Sequence, residues 1–323
     1  MATGRTLGGG GRKAPKAAAR VDAAEYSLPD EPKPIDTDLR HYSILVYARE
    51  KWGKTDFFSS FPECMFLMTE PGAKGLSIYE FNHEKGGVRD WDDFRAAVKL
   101  LSESDRFENV VIDTVDRAYD MCRDWVCNTL NIPYPGEEES GKEDRGKSWT
   151  FVKQEFVAQI DKLLRTGRGL HFTSHSKSAE IKTRTGDKYD RVYPSMSGQA
   201  RGVVEALVDM FFYGEYFKDD HGHPVRALVT RGDEAVWAGH RSIAGMKPLP
   251  TFLPVKEGKG YETLLGALKG EVAGIEPMDI NKSKSTAPAT SEFLLKARQT
   301  QLRKNTQPVQ AATRKATRRV VGK

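Results

Sequence analysis

The chain has 323 residues, with 50 Lys and Arg against 45 Asp and Glu, a formal net charge of +5. That sum conceals a split: residues 1–20 carry five bases and no acid, residues 281–323 carry 11 bases against the single acid Glu292, and the stretch between holds 34 bases and 44 acids, a net −10. No run approaches the ~18 apolar residues of a membrane span, the N-terminal MATGRTLGGGGRKAPKAAAR lacks the apolar centre of a secretory signal, and three cysteines exclude a disulfide framework.

In chain order, residues 1–36 are rich in Gly, Ala, Lys and Pro and read as a disordered basic tail. The apolar run 43–47 predicts a buried strand, followed by a turn and a helix over 55–61 that stops at Pro62. CMFLMT (64–69) predicts a second strand, broken after Glu70 by Pro71-Gly72. Helical spacing of Phe94, Ala97, Val98 and Leu101 predicts a helix over 91–101; a third strand spans 109–112 and closes at Asp113; a helix follows over 117–130. The polar loop 131–148 leads to an amphipathic helix over 149–164 and a fourth strand over 169–174. A basic polar loop is expected from there to about residue 200, then a helix over 201–207, strands over 209–216 and 224–230 pairing as a hairpin, and a short helix within 255–269. The tail 271–323 is basic and expected to be mostly disordered. Strands alternating with helices predict an α/β domain over 37–270, with a mainly parallel central sheet flanked by helices and a C-terminal β-hairpin extension.

Ala48-Arg49-Glu50-Lys51-Trp52-Gly53-Lys54-Thr55 fits the P-loop spacing, with Ala in place of the first Gly. A strand, a tight turn and a helix N-terminus together aim backbone N–H groups at phosphate. Gly53 lets the backbone approach, Lys54 reaches the β- and γ-phosphates of ATP, and the Thr55 hydroxyl ligates Mg²⁺. Ala48 is tolerable if its backbone is not left-handed. Val110-Val111-Ile112-Asp113 is an apolar strand ending in a carboxylate, the Walker B arrangement for Mg²⁺. Open α/β sheets bind ligands beyond the carboxyl ends of their strands, and Lys54, Glu70, Asp113 and His175 all follow apolar strands there. Glu70 is the candidate base for the attacking water, His175 a candidate γ-phosphate sensor, and Asp116 reads as a helix cap. The pair Cys122 and Cys127 reads as buried thiols of a reducing, cytoplasmic compartment.

The series YAREKWGKT, FLMTEPG, NVVIDTVD, SWTFVKQEF, HFTSHSK and GQARGVVEALVDMFFYGEY resembles phage-encoded ATP-binding proteins with a RecA/RadA-like core, including RecA-like single-strand annealing proteins of phage recombination. The resemblance covers roughly 40–268. It implies a RecA-like P-loop NTPase core, Glu70 as catalytic glutamate, Asp113 as Walker B aspartate, and His175 in the place of the switch glutamine. It places loop 176–200 at the DNA-binding loop behind that switch, and the acidic loop 132–148 at the first such loop. Within 176–200, Lys177, Lys182, Arg184, Lys188 and Arg191, with Arg201 opening the next helix, are candidate contacts to single-stranded DNA, and Tyr189 or Tyr193 could stack on bases. Arg231 and Arg241 are candidates for a cation supplied to a neighbour's ATP site within a homo-oligomer, ring or filament. The resulting expectation is a Mg²⁺-dependent ATPase, stimulated by single-stranded DNA and acting in phage recombination or annealing, in the host cytoplasm and without membrane contact. Two alternatives stay open: a nucleotide-regulated DNA- or protein-binding module with little hydrolysis, and an ATPase that remodels a single-strand DNA-binding or replication partner. Residues 291–303 (SEFLLKARQTQLR) are a candidate docking helix for such a partner.

Overall fold

Pleated strands send alternate side chains to opposite faces, and here both faces are covered. In the computed structural model, which describes residues 28–137, 142–184, 186–219 and 221–275, strand β1 (Ile44–Ala48) is buried along its whole length. Leu45 packs into one apolar layer, and Ile44, Val46 and Ala48 into another. Val110 and Ile112 against Val111, and Leu67 against Phe66 and Met68, divide the same way. Strands buried on both sides read as near-continuous apolar runs, which is why the sequence reveals them.

The remaining elements are α1 (Lys54–Ser59), β2 (Cys64–Met68), β3 (Tyr79–Glu80), α2 (Trp91–Ser102), β4 (Asn109–Asp113), α3 (Val115–Leu130), α4 (Lys147–Leu164), β5 (Gly169–Lys182), β6 (Lys188–Pro194), α5 (Gly198–Leu207), β7 (Met210–Lys218), β8 (Pro224–Val229), β9 (Gly239–His240), β10 (Phe252–Pro254) and α6 (Gly260–Lys269). The sheet order is β10-β8-β7-β1-β5-β4-β2-β3. From β7 to β3 all neighbours are parallel, while β8 pairs antiparallel with β7, and β10 with β8. Helices α2 to α5 cover one face, around Trp91, Phe94, Tyr119, Phe156 and Val204. Helices α1 and α6 cover the other, around Phe57, Phe58, Leu264 and Leu268. The mainly parallel sheet between helices and the β7–β8 hairpin extension are both as the sequence predicts.

Three expectations need correction. The basic segment after residue 174 is not a loop: β5 runs on to Lys182 and pairs antiparallel with β6 over seven residue pairs, from Ser176 with Pro194 to Lys182 with Lys188. This hairpin leaves the main sheet, so its strands carry no continuous apolar run to announce them. His175 consequently lies within a strand rather than beyond its end. Asp116 does not cap α3. Thr114 does, its hydroxyl accepting from the Arg117 N–H. Cys64, Cys122 and Cys127 are free and buried, and burial pushes the Cys64 and Cys122 thiols well up. Residues 1–27 and 276–323 of the two predicted tails, including the candidate docking segment 291–303, lie outside the described residues.

Candidate nucleotide site

Parallel register brings the carboxyl ends of β1, β2, β4 and β5 to one rim. Met68 is level with Asp113, Ile112 with Phe172, and Ala48 with His175 on one side and Gly214 on the other. The phosphate loop leaves β1 at Ala48, and a cleft of about 500 Å³ opens beside it, lined among others by Lys54, Thr55, Glu70, Asp113 and His175. Ala48 is an ordinary strand residue; the left-handed backbone falls instead at Lys51 and Gly53, so the missing first glycine carries no strain. Gly214 has a different task. A Cβ there would lie 2.5 Å from the Trp52 ring, so the glycine leaves room for the buried indole, whose N–H donates to the Glu215 carbonyl at 3.2 Å.

Lys54 is only 7 % exposed. Its ammonium donates to the carbonyls of Ala48 at 3.2 Å and Arg49 at 3.4 Å, and lies 3.4 Å from Nδ1 of His175. Burial pushes its pKa down, opposed by the carboxylates of Asp113, Asp116, Glu70 and Glu50. His175 Nε2 in turn is 3.1 Å from Glu70 Oε2. With Nδ1 accepting from Lys54 and Nε2–H donating to Glu70, the imidazole bridges the phosphate lysine and the candidate base. Glu70 Oε1 accepts from the Thr114 hydroxyl at 2.9 Å, so both carboxylate oxygens are engaged. The Asp113–Thr114 peptide bond is cis. Asp113 is only 4 % exposed, and its Oδ1 accepts from the Thr173 hydroxyl at 2.5 Å and its Oδ2 from the Thr55 hydroxyl at 2.6 Å.

A carboxylate and a hydroxyl side by side form the hard-oxygen donor pair that Mg²⁺ prefers, and that pair lies beside the loop lysine. The residues therefore fit the ion. Sequence reasoning missed Thr114 and Thr173, which hold Glu70 and Asp113 in place. The signal was a threonine beside the acidic or imidazole residue at three strand ends: TE, DT and FTSH. Asp116 also points toward this end of the sheet. One oxygen accepts from the Ser195 hydroxyl, the other is buried with no partner among the described residues, and burial raises its pKa. Of the other loop residues, Glu50 and Lys51 are exposed, and Arg49 lies 5.7 Å over the Tyr216 ring.

The candidate DNA contacts do not form one cluster. Residues opposite one another in an antiparallel pair share a face, and the faces alternate. Lys177 with Tyr193, Ala179 with Arg191 and Ile181 with Tyr189 therefore lie on one face of the β5–β6 hairpin; Ser178 with Val192, Glu180 with Asp190 and Lys182 with Lys188 lie on the other. On the first face, Tyr193 sits between Lys177 at 5.2 Å and Arg201 of α5 at 5.0 Å. On the second, Lys188 is neutralised by Glu180 at 2.6 Å. Arg184 is exposed in the turn. Arg241 pairs with Asp209 at 3.1 Å just before β7, and Arg231 follows β8 on the same side. This is the amino end of β1, four residues or about 13 Å of strand from the cleft, so neither reaches the cleft of its own chain.

A phosphate loop on one strand, a carboxylate at the tip of the strand two places away, and a third strand between them define a P-loop ATPase of RecA-like fold. Residues 40–242 match the AAA domain family, and the chain belongs to it. Among solved structures, a KaiC-like protein from the hyperthermophilic archaeon Pyrococcus horikoshii OT3 is similar at 13 % identity with a TM-score of 0.36, covering 68 % of this chain and 88 % of that one. No curated protein matches the sequence. Among the described residues no helix is long and apolar enough to cross a membrane.

Proposed function

We propose that this protein binds Mg²⁺-ATP in the cleft, hydrolyses it, and uses the cycle to change its grip on single-stranded DNA, in recombination or annealing. In the bound state Lys54 exchanges the loop carbonyls and His175 for the phosphates. Thr55 and Asp113 would hold the Mg²⁺, with Asp113 fixed by Thr173; when bound, the ion neutralises charge on the phosphate oxygens. Glu70 orients a water and takes its proton as the water oxygen bonds to the γ-phosphorus and the bond to the ADP oxygen breaks. Losing the Lys54 contact frees His175 Nδ1; a tautomer shift that moves the ring proton from Nε2 to Nδ1 then lets it donate to phosphate and ends the Nε2–H donation to Glu70.

The observation that carries the reading is that His175 lies on β5, and β5 continues without a break into the hairpin whose Tyr193 face carries Lys177 and Arg191 and meets Arg201 of α5. Cations with an aromatic ring between them suit the backbone and bases of a single strand. Arg231 and Arg241, at the far end of the sheet, would reach a cleft only in a second copy of the chain, which fits a head-to-tail assembly.

The test is phosphate release with and without single-stranded DNA. DNA stimulation in the wild type, and a fall of about 100-fold or more in Glu70→Gln, is the expected result. Unchanged release in Glu70→Gln would overturn the catalytic assignment. DNA affinity indifferent to ATP in the wild type would overturn the coupling.

A further inference from the structure

An unfavourable charge adjoins the phosphate loop. Asp56 directly follows Thr55, stands in the first turn of α1 and lines the nucleotide cleft. A bare carboxylate at this position would repel the phosphates that Lys54 and the loop N–H groups attract. Its surroundings address that charge. Arg226 of β8 donates from Nη2 to Asp56 Oδ2 at 2.7 Å, and the Gly258 N–H donates to Oδ1 at 3.0 Å. The pair is largely removed from water, with the arginine side chain 10 % and the aspartate 20 % exposed.

Arg226 touches the loop in two further ways. Its guanidinium lies 5.3 Å over the Trp52 ring, a cation–π contact. Its Nη1 occupies the space where a side chain on residue 53 would begin, 2.1 Å from an ideal Cβ, while Gly53 itself is left-handed at φ 104°. The arginine is anchored from behind by the carbonyls of Lys256 at 2.9 Å and Val255 at 3.4 Å. One planar fork thus spans Trp52, Gly53 and Asp56, which surround the phosphate lysine in sequence. A lysine could not make these contacts together.

We propose that Arg226 is a positioning residue for nucleotide binding: it neutralises Asp56, turns that carboxylate away from the phosphates and supports the left-handed turn at Gly53. It does so without touching the nucleotide. The proposal rests on the cleft being a nucleotide site.

A purely structural ion pair would give a different pattern, because removing either partner would then do equal harm. The test measures binding of ADP and adenosine by titration calorimetry to the wild type, Arg226→Met, and Arg226→Met with Asp56→Asn. Arg226→Met should bind ADP about tenfold more weakly, equivalent to about 1.4 kcal/mol, with adenosine affinity unchanged because the repulsion acts only on phosphate. Adding Asp56→Asn should restore most of the ADP affinity. If Arg226→Met does not fold, Arg226→Gln with and without Asp56→Asn reads the same coupling. A wild type that does not bind ADP overturns the nucleotide site itself. A wild type that binds ADP, with Arg226→Met equally tight, or with no recovery in the double variant, overturns the role of Arg226 alone.

Discussion

At the scale of single residues, burial decides which polar groups act and which only pack. His171 and His175 stand four residues apart on β5. His175 faces the cleft between Lys54 and Glu70. His171 is fully buried, stacked on Phe58 at 5.0 Å, with Nε2 3.0 Å from Asn109 Oδ1 and Nδ1 without a partner among the described residues. Burial depresses its pKa from 6.5 to about 3, so the folded state refuses a proton that the unfolded chain accepts. This contribution to stability is complete above pH 6.5 and is lost as pH falls toward 3, at about 1.4 kcal/mol per pH unit. Denaturant midpoints measured across that window should fall more steeply for the wild type than for His171→Gln. Parallel profiles would show that His171 does not set acid sensitivity. In sequence the two histidines look alike, since both sit in HFTSH; they share one face of β5, and distance from the sheet's rim separates their roles.

At the scale of elements, the β5–β6 hairpin is where the chain departs most from its sequence pattern. The apolar run ends at Ser174, and a polar stretch reads as loop. Yet the alternation Ala179, Ile181 and then Tyr189, Arg191, Tyr193, with Gly186 left-handed in the connecting turn, is the signature of a hairpin with one aromatic face. This geometry divides six basic candidates that the sequence had grouped. Replacing Arg191 and Tyr193 with Ala should weaken single-stranded DNA binding at least about tenfold, since base stacking alone contributes on the order of 1–3 kcal/mol per base. Replacing Lys182 and Lys188 should change it little, because their face carries Glu180 and Asp190 as well. Fluorescence anisotropy with a labelled oligonucleotide checks this, and equal losses from the two faces would contradict it. The hairpin is also tied to the nucleotide end at both strands: through His175 on β5, through Ser195 to Asp116 just beyond β6, and through the Tyr47 hydroxyl, which donates to the Val192 carbonyl at 3.3 Å.

At the scale of the whole molecule, charge separates body from tails. The stretch 21–280 is net −10, so the proposed attraction to DNA would come from a local face and not from its overall field. On the proposed function, the tail 281–323, net +10, would add phosphate contacts that salt screens. Deleting it should flatten the dependence of DNA affinity on salt while leaving ADP affinity unchanged. A salt slope unaltered by the deletion would assign all phosphate contacts to the body.

The sequence by itself determined the phosphate loop, the carboxylates of Glu70 and Asp113, the alternation of strands and helices, and the segregation of charge. These are local matters, written in residue type and spacing over a few positions. Tertiary structure alone decided the order β7-β1-β5-β4-β2, which makes neighbours of Ala48 and His175 and lets Lys54, His175 and Glu70 form a chain of contacts. It alone brought Arg226 across 170 residues to Asp56. The physical reason is that strand pairing and ion pairing between distant segments depend on which surfaces are buried together, and no short window of sequence contains both partners.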